Sequence, residues 1–266
     1  MKVAGRVVRL IGNLNLLPQV AVLLLVLNVP GLAATQADSF DVPVKKQVVD
    51  FGPSPYSRGY RVKLSCYFYL TFMVKEYDEG QKGAEWLAIL SFKEGMTPTC
   101  IQSHAVGEKV IVYPEWAGYF KGAKANLVFF HGDDGTNGGM PFVVYDSKTG
   151  SKVFEDSYYD ASMGNIRTQN SPFNRLRVME TEDGRLSLKY LRVVEANCDL
   201  HREQASCWEQ VRRKLELKSA DMPVCSGYKN ILTRWESVVA YPVEVSLFPQ
   251  PVVKTTVGPV KCWPVD

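Results

Sequence analysis

Histidine is scarce in this chain, and the motifs that accompany catalytic residues are missing from it. The 266 residues include three histidines, His104, His131 and His201, and none stands at metal-ligand spacing from another. A G-x-S-x-G elbow, which would present a nucleophilic serine, does not occur. Because no residue set for nucleophilic catalysis is present, the sequence favours a protein that is not an enzyme.

An excess of charge of one sign is also missing once the amino terminus is set aside. The chain has 31 lysines and arginines against 28 acidic residues, and three of the basic ones, Lys2, Arg6 and Arg9, lie within residues 1–33. The remaining chain therefore carries 28 basic and 28 acidic side chains. This balance gives no support to a nucleic-acid partner or to binding of anionic lipid.

No apolar run is long enough to span a membrane. The stretch 14–29 is interrupted at Asn15, Pro18 and Gln19 and falls short of the roughly 20 residues that a spanning helix needs. Its basic start, apolar centre and small residues at 31, 33, 34 and 37 are typical of a secretory signal peptide. We expect a signal peptide over residues 1–34 and a single exported β-rich domain over residues 35–266. The product would be soluble in the periplasm or the extracellular space, with no membrane span after cleavage.

All six cysteines lie in the exported part, and none belongs to a C-x-x-C pair. An even count in an oxidising compartment favours disulfides over metal binding. The sequence leaves the pairing open. We favour pairing in chain order, which joins Cys66 to Cys100, Cys198 to Cys207, and Cys225 to Cys262.

Short apolar runs and alternating patterns predict a mainly β protein. The segment 126–156 holds two apolar runs around a glycine-rich loop, then a turn and a further short strand. Residues 62–74 alternate regularly, which predicts one long strand. We expect an antiparallel β-sandwich or irregular barrel of about a dozen strands. The run 144–150 resembles the inter-strand turn of many β-propeller blades, so a small propeller-like meander is the alternative.

One α-helix is predicted, in the carboxy-terminal half. A capping box that starts at Ser206 is followed by apolar residues at helical spacing, which predicts a helix over 206–218. Asp199 is an alternative start. A continuous helix from there would hold Cys198 and Cys207 about 13 Å apart, too far for a disulfide, so the favoured pairing depends on this choice.

A β-hairpin is predicted around the turn residues 182–184. A three-residue loop would set Val178 opposite Leu188, so that apolar side chains meet. The alternation then slips at Tyr190 and Leu191, which predicts a β-bulge.

Trp116, Tyr119 and Phe120 form an aromatic cluster before the glycine-rich loop. One interpretation is that they pack beneath a loop. The other is an exposed platform for a sugar or another flat ligand, because Trp and Tyr combine apolar faces with a polar group. These three are the candidate ligand-binding residues.

The glycine-rich loop carries the most polar cluster, Asp133, Asp134 and Asn137. Oxygen side chains among glycines suit a hard cation such as calcium, but the spacing matches no EF-hand loop and lacks its closing glutamate. Asp, Asn and Gly are also ordinary turn residues. Calcium is the one cofactor that the sequence suggests, with a solvated turn as the competing interpretation.

The expected function is that of an exported, non-enzymatic binding or structural protein, with carbohydrate or another protein as its partner through the aromatic patch. The alternative is a secreted glycan-acting hydrolase that uses a carboxylate pair. Acids such as Glu85, Glu115, Asp133 and Asp160 would have to meet in a cleft for that chemistry.

Overall fold

A computed structural model describes residues 40–160, 175–180, 184–219, 221–230 and 235–265. The expected signal peptide, residues 1–34, lies outside the described residues. The described part of the chain is mainly β, as the sequence predicts.

Five strands form the first antiparallel sheet. They are β1 (Lys45–Pro53), β2 (Arg61–Phe68), β3 (Phe72–Asp78), β4 (Trp86–Ser91) and β5 (Lys109–Ile111). Their order in space is their order in the chain, so the sheet is a meander. The first strand is an edge, and it carries Lys45 and Lys46, which disfavour pairing with another chain.

Nine strands form the second sheet, also antiparallel. They are β6 (Gly118–Lys124), β7 (Leu127–Gly132), β8 (Gly139–Asp146), β9 (Lys152–Tyr159), β10 (Arg177–Glu180), β11 (Leu186–Glu195), β12 (Ser237–Ser246), β13 (Val252–Thr255) and β14 (Lys261–Pro264). The main path runs β13-β12-β11-β9-β8-β7-β6, with β10 paired to β11 and β14 to β12. The predicted strand, loop and hairpin of segment 126–156 become β7, β8 and β9.

The two sheets pack face to face as a β-sandwich. Val74 and Ile89 of the first sheet form one buried cluster with Phe130 and Val143 of the second. The sandwich interpretation is therefore confirmed. Both sheets are open rather than closed into a barrel, and the described residues form fourteen strands where about a dozen were expected.

Two short helices cover the other face of the second sheet, where one helix was predicted. They are α1 (Leu200–Glu203) and α2 (Ala205–Lys214), and a 3-10 turn follows at Tyr228–Asn230. Leu200, Trp208 and Val211 are buried in the same cluster as Phe129 and Phe142 of β7 and β8. The expected helix 206–218 is thus corrected to a pair of helices that ends earlier.

Gln204 breaks the helical segment, and Asp199 begins it. The Asp199 carboxylate accepts hydrogen bonds from the backbone N–H groups of His201 and Arg202, which caps α1. Gln204 has a φ of 44°, so α2 starts in a new direction. Asp199 is therefore the start that the structure uses. The capping box predicted at Ser206 is wrong, because Ser206 lies inside the first turn of α2 and its hydroxyl donates to the carbonyl of Glu203 at 2.9 Å.

The long strand predicted over 62–74 is two strands, β2 and β3. The N–H of Tyr69 donates to the carbonyl of Phe72 at 2.8 Å, which closes a tight turn with Leu70 and Thr71 at its tip. Neither tip residue is a typical turn former, and the alternation runs on through the turn. The predicted row of buried residues changes face at this turn, because Phe68 pairs with Met73 rather than with Phe72 or Val74. Val62 to Phe68 pack in the cluster with Cys100, whereas Phe72 and Val74 pack between the two sheets, so both faces of this hairpin are buried.

The predicted bulge at Tyr190 and Leu191 is wrong. The register of β11 with β12 runs without a shift from Ser187 to Glu195. Tyr190 and Leu191 are both fully buried because the strand is covered on both faces, so the alternation appears to slip although the backbone is regular. The hairpin register is confirmed by the pairing of Val178 with Leu188, while residues 181–183 of its turn lie outside the described residues.

Three disulfides link all six cysteines, in the pairs that the sequence analysis favoured. The pairs are Cys66–Cys100, Cys198–Cys207 and Cys225–Cys262. Three disulfides fit an oxidising, extracellular environment. Among the helices that the structure describes, none is both long and apolar enough to cross a membrane.

Candidate ligand-binding groove

The glycine-rich loop 133–138, which joins β7 to β8 and is called the central loop below, contacts both sheets. Lys82, in the loop between β3 and β4, pairs with the carboxylate of Asp134. A Cβ built on Gly83 in that same loop would lie 3.2 Å from the Cβ of Asp133, which indicates close approach. Both partners of the Lys82 ion pair are largely exposed, so it contributes little to stability.

The end of the central loop is a tight two-residue turn, and sequence reasoning missed it. Thr136 and Gly139 exchange backbone hydrogen bonds of 3.1 and 2.9 Å across Asn137 and Gly138. These two central residues have φ values of 54° and 73°. Asn-Gly with two positive φ angles is the preferred pair for a type I′ hairpin turn, so the signal was present in the sequence.

Asn137 links this turn to two distant parts of the chain. Its side-chain amide Nδ2 donates to Oε1 of Glu195, at the end of β11, over 2.8 Å. Its backbone carbonyl accepts from Nε1 of Trp263 in β14 over 3.0 Å. Asn137 is itself 7 % exposed, so both contacts are made by a buried residue.

A groove of about 430 Å³ opens beside the turn. It is lined by Thr136, Asn137, Gly139, Pro141, Ser157, Val193, Val194, Glu195 and Val238. Its volume lies within the roughly 300–1,000 Å³ that is usual for small-molecule sites.

The groove uses a part of the second sheet that the first sheet does not cover. Gly139 and Pro141 lie on the same face of β8 as Val143, because side chains alternate along a strand. Val143 packs in the cluster shared with the first sheet, whereas Gly139 and Pro141 line the groove next to β9, β11 and β12. The groove floor therefore continues the sandwich interface beyond the edge of the smaller sheet.

Gly139 permits the close approach of β8, β9 and β11 at the groove floor. A Cβ built there would lie 2.5 Å from Oγ of Ser157 and 3.0 Å from Cβ of Val193. Any larger residue would push these groove-lining side chains apart.

The groove combines one fixed anionic acceptor with hydroxyl groups and an apolar floor. The Glu195 carboxylate is exposed and is oriented by the Asn137 amide. Thr136 and Ser157 supply hydroxyls, and the prolyl and valyl side chains supply apolar surface. Such a surface can accept hydrogen bonds from a ligand and also cover its C–H groups.

The three aromatic residues predicted as a ligand platform do not share one face. Tyr119 and Phe120 are consecutive on β6, so their rings point to opposite sides. Phe120 and Trp116 pack against the inter-sheet cluster, with the Phe120 ring centroid 4.5 Å from that of Tyr67. The Tyr119 hydroxyl instead accepts from the N–H of Gly83 at 3.0 Å.

The three residues predicted to bind a metal have separate contacts. Asp134 pairs with Lys82, Asn137 binds Glu195, and Asp133 lies against Gly83. Across the described ranges, no group of three or more His, Cys, Asp or Glu side chains is arranged to hold a metal ion. Calcium binding by the central loop stays a prediction.

Two of the acids considered for a hydrolase, Glu85 and Glu115, are engaged in different places. Glu85 accepts from Nε2 of Gln81 at 2.7 Å. Glu115 accepts hydrogen bonds from Lys109 and from the Tyr145 hydroxyl. The bond from Lys109 is the main reason that the pKa of the Glu115 carboxyl is lowered.

Two further acids, Glu76 and Asp78, lie side by side on one face of β3. They lie on the same face of β3 as the buried Phe72 and Val74. Two acids that continue an apolar row are a signal that the sequence analysis could have used. Glu76 accepts from the backbone N–H of Phe120 at 2.7 Å, which joins the two sheets. Asp78 accepts from the Tyr60 hydroxyl at 2.6 Å, and this bond raises the pKa of Tyr60 to about 12.

Comparisons of the chain with protein-family models, with curated proteins and with solved structures found no match. Function therefore has to be inferred from the chemistry of the groove.

Proposed function

We propose that the protein is an extracellular binding protein that holds a carbohydrate in the groove beside the central loop. The observation that carries the proposal is the Glu195 carboxylate, which is exposed in the groove and held by the buried Asn137 amide over 2.8 Å. An acceptor fixed before the ligand arrives loses little entropy on binding.

The chemistry of a sugar matches the two kinds of surface in the groove. Sugar hydroxyls donate to carboxylates, and a hydrogen bond to a charged group contributes about 1.5–3 kcal/mol. Thr136 and Ser157 add hydroxyls that can donate or accept. The C–H face of a pyranose ring would lie on Pro141 and Val193, so both sides of the ligand have a partner.

The proposal is tested by binding of the chain without residues 1–34 to a glycan array and to maltose, cellobiose, lactose and chitobiose by calorimetry. Glu195→Gln keeps the shape of the side chain and removes its charge, so we expect the dissociation constant to rise about tenfold or more. Glu94→Gln is the matched control, because Glu94 is an exposed acid in the loop after β4.

A parallel Trp116→Ala variant separates the groove from the aromatic patch. Loss of binding in Glu195→Gln supports the groove. Loss in Trp116→Ala with Glu195→Gln unaffected would move the site to Trp116 and Phe120. Failure of every glycan to bind would overturn the proposed function.

A further inference from the structure

We infer that the carboxy-terminal strand β14 positions the groove and that Trp263 is the positioning residue. The inference rests on the proposed function, because it concerns how the same site is held in shape. Trp263 itself does not line the groove.

Trp263 is docked on the turn that forms the rim of the groove. Its indole Nε1 donates to the carbonyl of Asn137 at 3.0 Å. A Cβ built on Gly138 would lie 3.1 Å from the Trp263 ring, so the ring rests directly on the turn backbone. The turn is therefore held by a polar bond and by ring contact from the same side chain.

Asn137 connects Trp263 to the Glu195 carboxylate, which is the proposed ligand-binding group. The residue receives the Trp263 bond at its carbonyl and orients Glu195 through its side-chain amide. A rotation of the Asn137 backbone would move both groups together. The direction of the Glu195 carboxylate thus depends on where β14 lies.

Two ties hold Trp263 in place. Its strand neighbour is Val238, a groove residue on β12, in a pairing of four residues. The residue before it, Cys262, is buried and bonded to Cys225, and its carbonyl accepts from the N–H of Ser226 at 2.9 Å. A strand of only four residues frays readily unless it is tied down.

The first test is amide hydrogen exchange by NMR, and it needs no ligand. Trp263→Phe keeps an aromatic side chain but removes the N–H and the indole atoms nearest to Gly138, so the Gly139 amide, which bonds to Thr136 across the turn, should exchange about fivefold faster. Trp116→Phe is the matched control, because the Trp116 indole nitrogen is buried without a hydrogen-bond partner. The same chemical change there should leave exchange at Gly139 unaltered.

The second test uses the disaccharide that binds most tightly among the four named above. Its dissociation constant should rise about fivefold in Trp263→Phe. On titration of the wild-type chain, the indole N–H resonance of Trp263 should shift and saturate with the sugar. If Trp263 served only the stability of the fold, Trp263→Phe would unfold more easily, but the wild-type indole resonance would not shift as sugar is added.

A Cys225→Ala, Cys262→Ala variant provides an independent route if Trp263→Phe fails to fold. It should raise both Gly139 exchange and the dissociation constant while the other two disulfides persist. Unchanged exchange at Gly139 in Trp263→Phe overturns the inference, and so does faster exchange with unchanged sugar affinity. If no glycan binds the wild-type chain, the proposed function falls, and exchange at Gly139 alone decides whether Trp263 holds the turn.

Discussion

The Cα atoms of Cys198 and Cys207 lie 5.9 Å apart although the residues are nine positions apart in the chain. The helix between them is interrupted at Gln204, and the second part returns Cys207 toward Cys198. A continuous helix would have held the two Cα atoms about 13 Å apart. The disulfide therefore requires the helix break at Gln204.

Gln204 should be replaceable by glycine with a gain in stability. Its φ of 44° and ψ of −113° belong to a region that glycine adopts far more readily than a residue with a side chain. We expect Gln204→Gly to raise the free energy of unfolding in urea by about 1 kcal/mol. Gln210→Gly, at an exposed position inside α2, should lower it by about 1 kcal/mol. Equal losses in both variants would contradict a strained break.

The buried ion pair between Lys75 and Glu108 should matter far more than the exposed pairs. Its Nζ–Oε1 distance is 2.8 Å, and the two side chains are 2 % and 0 % exposed. Glu108→Gln would leave the Lys75 charge buried and lower the free energy of unfolding by about 3 kcal/mol or more. Lys82→Ala breaks an exposed pair and should change the unfolding midpoint little. A similar small effect in both variants would show that the Lys75 charge is compensated elsewhere.

Glu76 should make the sandwich less stable at neutral pH than at acid pH. Burial is the main cause that raises the pKa of its carboxyl above 4.5; Asp78 adds to the rise, while the Phe120 N–H and Lys46 oppose it. The folded protein thus binds this proton more tightly than the unfolded chain. The cost of the buried charge is complete above the raised pKa and disappears as pH falls to about 4.5.

Glu76→Gln tests this linkage, because glutamine still offers an oxygen to the N–H of Phe120. The variant should unfold at higher urea concentration than wild type at pH 7, and the difference should close near pH 4. A difference that is the same at both pH values would assign the effect to packing.

Cys225–Cys262 should be the first disulfide to be reduced. Cys225 is the one cysteine of the six that is not buried. A thiolate reductant must reach a sulfur atom, so access decides the order. Brief treatment with dithiothreitol, followed by alkylation and peptide mass mapping, should label Cys225 and Cys262 before the other four. Earlier labelling of Cys66 and Cys100 would contradict this order.

The sheets could be predicted from the sequence because their signals are local. Apolar alternation located β2 and β3 as strands but placed their buried rows on one face, and the short runs in segment 126–156 located β7, β8 and β9. The same signals failed where both faces of a strand are covered, as at Tyr190 and Leu191, because burial on both sides removes the alternation.

The groove could be predicted only in part. Asn137 and Gly138 carry a turn signal that is visible in two residues. Glu195 and Val238 are brought to that turn by pairing between strands far apart in the chain, which no local pattern specifies. Tyr119 and Phe120 face opposite ways because they are adjacent on a strand, while Trp116 and Phe120 pack against one cluster, and ligand binding by the aromatic residues stays a prediction.

The three disulfides each join a cysteine to the next one in the chain, at separations of 34, 9 and 37 residues. No loop closed by one bridge encloses or crosses another. For a chain that enters an oxidising compartment amino end first, each cysteine would meet its correct partner before any later cysteine arrives. Oxidation in order of arrival would then yield the native bridges directly, with little need for an isomerase to reshuffle them.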